Sequence, residues 1–317
     1  MTSDTYMRVA RQMSDLRAIF IENEGFAPFE ALFKEQLAVR LADIELGRWS
    51  EATGISLIGA SGAGKTSAIN KLIQHTNGWL KEIGSGDMTL VSFRVPSPAT
   101  AKYVGQTLLR ALGYQISSER QAWYIWDLVR HHLKERKVLF VHIDEAQDLA
   151  THGTKKELIA ISSMLKTLLN DGDWPVGILM SGTPELKPIL ESDFQIVRRM
   201  RHRELPPLSR VGDAEDAIFL IETYCAKAGL ECSEEVAEIE LAERLIHSAA
   251  NQFGLVIQVI LGAIEKVILE DAKVLEHRHF ARAYGDRTGS DDAFNPFVIP
   301  DYTRIDPRRI NPPEVRP

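Results

Sequence analysis

The chain has 317 residues, of which 44% are hydrophobic and 26% charged, a balance that predicts a globular protein with one large or two modest domains. Its 37 basic and 44 acidic residues give a net charge of −7, which excludes a global basic field for nucleic acid and makes any DNA contact local. Two cysteines, no signal peptide and no apolar run of about 18 residues predict a reduced cytoplasmic protein without membrane contact.

Apolar residues recur at helical spacing in the first segment, which we expect to span residues 1–48; they are Phe29, Leu32, Phe33, Leu37 and Leu41. Strands and helices then alternate from residue 49 to residue 210. The strands are expected at 55–59, 89–95, 137–143, 176–181 and 203–205. This alternation predicts an α/β domain whose five-stranded parallel sheet is covered by helices on both faces.

A glycine-rich loop follows the first predicted strand, and it reads Gly59, Ala60, Ser61, Gly62, Ala63, Gly64, Lys65, Thr66. This is a complete phosphate-binding loop (P-loop) pattern, G-x-x-x-x-G-K-[ST], between an apolar strand and a helix. Backbone N–H groups of such a loop surround a phosphate, so residues 59–67, which include Ser67, are expected to bind ATP. Lys65 is expected to reach the β- and γ-phosphates, and the Thr66 hydroxyl to ligate Mg²⁺.

Two carboxylates, Asp144 and Glu145, end a second apolar run at 138–143. Ligands of open α/β sheets collect at the carboxyl ends of strands, and this pair follows the P-loop as a Walker B motif does. Asp144 is expected to hold Mg²⁺ through water, while Glu145 orients or deprotonates the attacking water. His142 lies within the apolar run and is expected to be a core histidine with satisfied hydrogen bonds.

Polar residues also end the fourth predicted strand, where Ser181 or Thr183 is expected to contact the γ-phosphate or the attacking water. Four arginines then precede or enter the last strand: Arg198, Arg199, Arg201 and Arg203. This cluster is either a solvated basic face or the source of an arginine finger. As a finger, Arg199 or Arg201 would reach the ATP of a neighbouring subunit.

The alternation of strands and helices ends near residue 210. Residues 213–230, 233–253 and 255–275 predict three helices, with Asp213 and Ser233 as N-caps, and therefore a small all-α lid domain over 211–285. Residues 286–317 hold six of the fourteen prolines and predict an extended tail. Its apolar residues either dock a partner or pack back on the body.

These motifs together resemble the AAA+ ATPases of the TniB/TnsC group, relatives of the MuB-type transposition regulators. The resemblance covers residues 10–285 and rests on the P-loop, the arginine cluster and the segments 144–148, 164–170 and 181–186. It implies an AAA+ regulator that binds ATP and Mg²⁺, forms a homo-oligomeric ring or helical filament on double-stranded DNA of any sequence, and disassembles on hydrolysis. It would connect a TniQ-like targeting protein to a TnsB/TniA-like transposase.

The resemblance also implies a DNA-facing segment after the second strand, at 94–102, in which Lys102 would contact phosphates, together with Arg120 further along the chain. The alternative for each residue is an ordinary solvated side chain. One position departs from the pattern of many AAA+ lids, because residues 254–260 contain no sensor-2 arginine.

Three other functions are alternatives to transposition. A superfamily-one helicase needs a second RecA-like domain, and only helices and a tail are predicted after residue 210. A metabolic P-loop kinase would leave the arginine cluster without a role. An AAA+ protein-assembly switch of the ExeA or STAND type, which does not act on DNA, remains the alternative, and duplex-stimulated ATP hydrolysis would separate it from the transposition regulator.

Overall fold

In the computed structural model, residues 3–116, 119–151, 155–191 and 193–309 are described. The helices of this part of the chain are α1 (Ser3–Arg17), α2 (Phe26–Glu45), α3 (Lys65–Glu82), α4 (Ala101–Ala111), α5 (Ala122–Glu135), α6 (Asp148–Thr151), α7 (Lys155–Leu169), α8 (Lys187–Glu191), α9 (Phe194–Val197), α10 (Ala214–Ala228), α11 (Ile239–Ser248), α12 (Phe253–Leu269) and α13 (His277–Thr288). The strands are β1 (Gly54–Ile58), β2 (Thr89–Arg94), β3 (Val138–Asp144), β4 (Gly177–Gly182), β5 (Met200–Glu204), β6 (Glu231–Cys232) and β7 (Val274–Leu275).

Five of the strands form one parallel sheet in the order β2-β3-β4-β1-β5. The three inner strands are buried almost throughout, whereas the edge strands β2 and β5 are partly exposed. Continuous apolar runs are typical of strands covered on both faces, which is why the inner strands could be recognised in the sequence. The predicted five-stranded parallel sheet with flanking helices is confirmed.

The described chain divides into two compact units. The sheet unit comprises Glu22–Ala60 and Lys65–Leu205, and the helical unit comprises the chain up to Ile21, the loop tip Ser61–Gly64 and the chain from Pro206 onward. The expected N-terminal segment, 1–48, is therefore divided between them. Helix α1 belongs to the helical unit and α2 to the sheet unit, because each buries its apolar residues there.

In the sheet unit, α2 contributes a row of fully buried aromatic and aliphatic side chains. The Phe33 ring lies 4.8 Å from the Phe140 ring of β3, centroid to centroid, and both residues are at most 2% exposed. Phe140 also explains a glycine in the neighbouring strand, since a Cβ at Gly177 would lie 2.2 Å from the Phe140 ring. The apolar face of α2 is thus packed directly against the sheet.

In the helical unit, α1 joins α10 to α13 around one core in which Met13, Tyr224, Ile264 and Tyr284 are at most 1% exposed. The prediction of three helices in the lid is corrected to four. The third helix ends at Leu269, and it is followed by β7, which pairs with β6, and then by the fourth helix, α13. The second predicted helix begins at Ile239 after a short 3-10 helix.

Within the described ranges, no single helix is both long enough and apolar enough to cross a membrane. Helices α11 and α12 meet both criteria only when taken together, and the pair is bent by 112°.

The segment after α13 packs on its own unit as far as it is described. Phe297 is 1% exposed, and its ring centroid lies 5.6 Å from that of Phe280. The Arg244 guanidinium donates hydrogen bonds of 2.7 Å to the carbonyl oxygens of Pro296 and Ile299. The expected extended tail thus starts in a helix that runs to Thr288 and continues as a packed segment, while residues 310–317 of that prediction lie outside the described residues.

Candidate nucleotide-binding site

The predicted phosphate-binding loop connects β1 to α3, which begins at Lys65. Gly62 and Gly64 have φ angles of +84° and +96°, a region that side chains with a Cβ rarely adopt. The N–H of Gly59 donates to the Gly182 carbonyl oxygen at the end of β4, 3.1 Å away. The remaining members take their expected places, with Ala60, Ser61 and Ala63 in the loop and Thr66 and Ser67 exposed in the first helical turn.

Lys65 is a buried cation, 8% exposed, whose ammonium group donates to the carbonyl oxygens of Gly59 at 2.8 Å and Ala60 at 3.0 Å. Burial lowers its pKa, and the negative charges of Glu145 and Asp144 partly oppose that effect. Among the described residues, no carboxylate forms an ion pair with Lys65. A desolvated cation without a counter-ion fits an anionic ligand such as a phosphate group.

A chain of hydrogen bonds runs from β2 across β3 to β4 and ends on Asp144. The Ser181 hydroxyl lies 2.5 Å from Asp144 Oδ1, and His142 Nε2 lies 2.9 Å from the Ser181 oxygen. The other ring nitrogen, Nδ1, lies 2.8 Å from the Ser92 hydroxyl. Burial lowers the pKa of His142 to about 4, against the opposing effect of the Asp144 charge, so the ring is neutral at neutral pH.

Glu145 has a φ angle of +52°, which is unusual for a residue with a side chain. Its carboxylate is held by two polar partners, since Oε2 accepts a hydrogen bond of 2.6 Å from the Gln147 amide and Oε1 lies 3.9 Å from Arg94 Nη2. Sequence reasoning missed both partners. Gln147 lies in the segment 144–148, two residues after Glu145. Arg94 is a neighbour of Glu145 because β2 pairs with β3.

The two predicted sensor residues occupy different environments. Ser181 is fully buried and bound to Asp144. Thr183 is partly exposed; its N–H donates to the Gln147 amide oxygen at 3.1 Å, and its side chain hydrogen-bonds to Glu185, which lowers the pKa of that carboxyl. Ser181 is therefore the residue connected to the carboxylate expected to hold metal.

The arginine cluster separates into buried and exposed members. The Arg199 side chain is 6% exposed, and its Nη2 and Nε donate to the two Glu51 carboxylate oxygens at 2.7 and 3.0 Å. Arg201 is exposed on the edge strand β5, and its side chain forms no ion pair within the described ranges. Burial and pairing within the chain argue against the prediction of Arg199 as a finger. Arg201 is the exposed one of the two residues predicted for that role.

Lys102 and Arg120, the predicted DNA contacts, lie close to each other on the surface. Lys102 is in the first turn of α4, and its ammonium group is 2.7 Å from a carboxylate oxygen of Glu119. The neighbouring Arg120 is exposed, with its guanidinium 5.4 Å from the centre of the Tyr124 ring. Glu119 competes with any phosphate for Lys102, which the sequence alone does not indicate.

Within the helical unit, the first turn of α12 touches the loop tip Ser61–Gly64. A Cβ at Gly254 would lie 2.7 Å from the Gly62 carbonyl oxygen, and a Cβ at Gly62 would lie 2.4 Å from Leu255 Cγ. Both contacts are too short for any side chain. The close approach of the two backbones gives a physical reason for glycine at this place in the lid sequence.

Residues 48–190 match the sequence model of a family described as an AAA domain. Similar solved structures include the ORC1 protein of Aeropyrum pernix in complex with DNA, at 13% identity and a TM-score of 0.61 over 82% of this chain and 64% of that one. The Drosophila ORC bound to DNA matches at 13% identity and a TM-score of 0.58, over 89% and 66% of the two chains, and CDC6P from Pyrobaculum aerophilum at 19% and 0.54, over 79% and 65%.

The chain thus spans about two thirds of the length of these solved relatives, and it matches no curated protein. At this level of identity the similarity concerns the fold. The strand order, the strand–loop–helix passage at Lys65 and the family match over 48–190 agree with one another. The protein therefore has the AAA+ P-loop fold.

Proposed function

We propose that this protein is an ATP-dependent, DNA-binding AAA+ regulator of transposition. The observation that carries the ATP part of the proposal is the buried Lys65 ammonium at the end of the loop between β1 and α3, which forms an ion pair with no carboxylate in the described part of the chain. Strands β1, β4 and β3 are neighbours in the sheet. The loop follows β1, Ser181 lies near the end of β4, and Asp144 ends β3, so all three lie at the same edge of the sheet. ATP would bind at that edge, as ligands do in other open α/β sheets.

Each residue of the site then has a distinct role. Loop N–H groups and Lys65 would bind the β- and γ-phosphates, while Thr66 and Asp144 supply oxygen donors of the class that Mg²⁺ prefers. Bound Mg²⁺ would neutralise charge that develops on the phosphates. The Glu145 carboxylate would take a proton from the water whose oxygen attacks the γ-phosphorus, releasing ADP and phosphate.

The contacts of Glu145 indicate how hydrolysis would be controlled. While Gln147 and Arg94 hold the carboxylate, it is less free to turn toward a water molecule. Arg94 begins the segment 94–102 that the resemblance assigns to DNA. A DNA phosphate that attracts Arg94 would remove one of these two contacts and make the Glu145 carboxylate easier to turn, so duplex DNA should stimulate ATP hydrolysis.

The DNA part of the proposal depends on oligomerisation. A chain of net charge −7 holds DNA only if cations such as Lys102 and Arg120 are gathered from several copies, in a ring or helical filament. Support comes from the family resemblance and from the DNA-bound state of two similar structures. A TniQ-like targeting protein and a TnsB/TniA-like transposase would be its partners, and ATP hydrolysis would disassemble it.

Fluorescence anisotropy with two unrelated labelled duplexes, across a salt series with ATP, ADP or no nucleotide, tests the DNA proposal. Binding should require ATP, be equal on both sequences and fall steeply with salt. Lys102→Ala should weaken binding to both duplexes and flatten the salt slope, whereas Glu119→Gln should strengthen binding because the competing carboxylate is gone. Lys81→Ala, an exposed lysine on α3, is the matched control.

Two outcomes would remove the transposition proposal. DNA binding in every nucleotide state, or in none, would leave the alternative of an AAA+ protein-assembly switch of the ExeA or STAND type that does not act on DNA. Electron microscopy of the protein with ATP and duplex DNA would then distinguish a DNA-coated ring or filament from a DNA-free assembly.

A further inference from the structure

The hydrogen bonds that end on Asp144 have only one consistent direction. An ionised carboxylate only accepts hydrogen bonds, so the Ser181 hydroxyl donates a hydrogen bond to Asp144 Oδ1. The Ser181 oxygen is then free to accept from His142, which requires the proton of the neutral ring to be on Nε2. Nδ1 is then the acceptor of a hydrogen bond that the Ser92 hydroxyl donates. All three partners are satisfied by a single tautomer.

A buried imidazole is an expensive choice inside an apolar strand. His142 is 3% exposed, and an aliphatic residue at this position would avoid the desolvation of two ring nitrogens. The same sheet contains a second serine–histidine pair, since Ser56 Oγ on β1 lies 2.6 Å from Nδ1 of His202 on β5. Among the described residues, no hydrogen bond connects the Ser56–His202 pair to Asp144 or Glu145. The hydrogen bonds of His142 differ from this pair because they lead through Ser181 to Asp144, the carboxylate expected to hold metal.

We propose that His142 is a positioning residue for the metal site: by donating to Ser181 it directs the serine proton onto Asp144 Oδ1 and so fixes the orientation of that carboxylate toward Mg²⁺. The inference rests on the proposed ATP and Mg²⁺ function. His142 would act through Ser181, to which it is hydrogen-bonded, and not by contacting the nucleotide or the metal. Ser92 contributes by holding the ring in the tautomer that donates to Ser181.

The proposal separates metal affinity from nucleotide affinity. If His142 orients only Asp144, its loss should weaken binding of the divalent cation and leave metal-free nucleotide binding by the loop unchanged. A group that merely ties the strands together would change both affinities in parallel or neither. Outer hydrogen-bond partners of metal ligands commonly change metal affinity by 10-fold or more, and an effect of about 10-fold is expected here.

The test measures Mn²⁺ affinity by electron paramagnetic resonance of the full chain with a non-hydrolysable ATP analogue, and fluorescent nucleotide binding without metal. His142→Leu should weaken Mn²⁺ binding about 10-fold with unchanged metal-free nucleotide affinity. His142→Gln keeps an N–H donor near the position of Nε2 and should recover part of the loss. His202→Leu, at the Ser56–His202 pair, is the matched control and should bind Mn²⁺ like the parent.

A double-mutant comparison decides whether His142 acts through Ser181. Ser181→Ala removes the direct bond to Asp144, so adding His142→Leu to it should weaken Mn²⁺ binding no further. Additive losses, or parental Mn²⁺ affinity in His142→Leu, would overturn the proposal. If His142→Leu does not fold, Ser92→Ala at the exposed edge keeps the test open, with an expected loss of about 2-fold for one hydrogen bond and parental affinity counting against the proposal.

Failure of the inference can be told from failure of the proposed function. A parental protein that binds neither nucleotide nor Mn²⁺ would remove the ATP-dependent function itself. A parental protein that binds both, with unchanged values in the His142 and Ser92 variants, would remove only the positioning role of His142.

Discussion

At the scale of single residues, the burial and charge of Lys65 indicate an anion-binding site independently of the P-loop motif. Lys65 is almost completely buried, and among the residues that the structure describes its ammonium group donates hydrogen bonds to two carbonyl oxygens of its own loop and pairs with no carboxylate. Carbonyl dipoles stabilise a cation less than a full negative charge does. A phosphate group would therefore add the strong partner that the loop does not provide.

Lys65→Ala should weaken ATP binding by about 100-fold, the upper range for hydrogen bonds to a charged group, while the melting temperature stays close to that of the parent. Stability should be retained because the substitution leaves no unpaired carboxylate behind. Titration with a fluorescent ATP analogue and thermal unfolding by circular dichroism measure the two quantities, with Lys81→Ala as control. Normal ATP affinity in Lys65→Ala would contradict the phosphate-binding assignment.

At the scale of elements, two arginines at the start of the edge strand β5 lie in opposite environments. Arg199, just before β5, is paired with Glu51, just before β1, and so ties the starts of two adjacent strands together. Arg201 is the second residue of β5 and is exposed. Sequence alone placed both in one basic cluster, since the pairing of Glu51 and Arg199 depends on strands that are about 150 residues apart.

Substitution should separate the two arginines experimentally. Arg199→Ala should lower the melting temperature, because it removes a bidentate pair between strands, whereas Arg201→Ala should leave it unchanged. If Arg201 acts on the ATP of a neighbouring subunit, Arg201→Ala should lower turnover by about 10³-fold with intact ATP binding.

A mixing experiment distinguishes catalysis between subunits from catalysis within one. Arg201→Ala and Glu145→Gln proteins each lack one part of a composite site, so mixed assemblies should regain some hydrolysis where an intact loop meets an intact arginine. Steady-state phosphate release across mixing ratios measures the recovery. No recovery at any ratio would assign Arg201 to a surface role.

The segment after α13 is a second element of interest, because it is rich in proline and yet contains a fully buried side chain, Phe297. Phe297→Ala should destabilise the helical unit by about 3–5 kcal/mol, because it empties a fully buried site beside Phe280 and Tyr284. Phe294→Ala, at a position that is 40% exposed, is the matched control and should cost far less. Chemical denaturation followed by circular dichroism compares the two, and equal losses would contradict the packed position of Phe297.

The elements that could be predicted from the sequence are those whose defining residues are close together in the chain. The inner strands and the P-loop are continuous in sequence, so apolar runs and glycine spacing were sufficient to predict them. The polar chain from Ser92 to Asp144 requires three strands to pair, and α13 was missed because its residues are mostly polar. Long-range pairing and low apolar content are the two reasons that sequence patterns did not suffice.

At the scale of the whole molecule, assembly on DNA should depend on the state of the nucleotide. Glu145→Gln should bind ATP normally and hydrolyse it very slowly, because only proton transfer from water is lost. Its complexes with DNA should therefore outlast those of the parent after dilution into ATP-free buffer. Fluorescence anisotropy of labelled duplex over time measures the lifetime, and dissociation at the parental rate would show that hydrolysis does not drive disassembly.

The helical unit is built from both ends of the chain, and its composition bears on how the protein is synthesised. Val9, Met13 and Leu16 share a core with residues from Ala214 onward, so about 200 residues must be added before α1 finds its partners. At ribosomal rates of about 5–20 residues per second, these side chains stay uncovered for on the order of 10–40 s. During that time the nascent chain presents an apolar helix face to chaperones and to other nascent chains, whereas α2 can pack against the sheet as soon as β3 emerges.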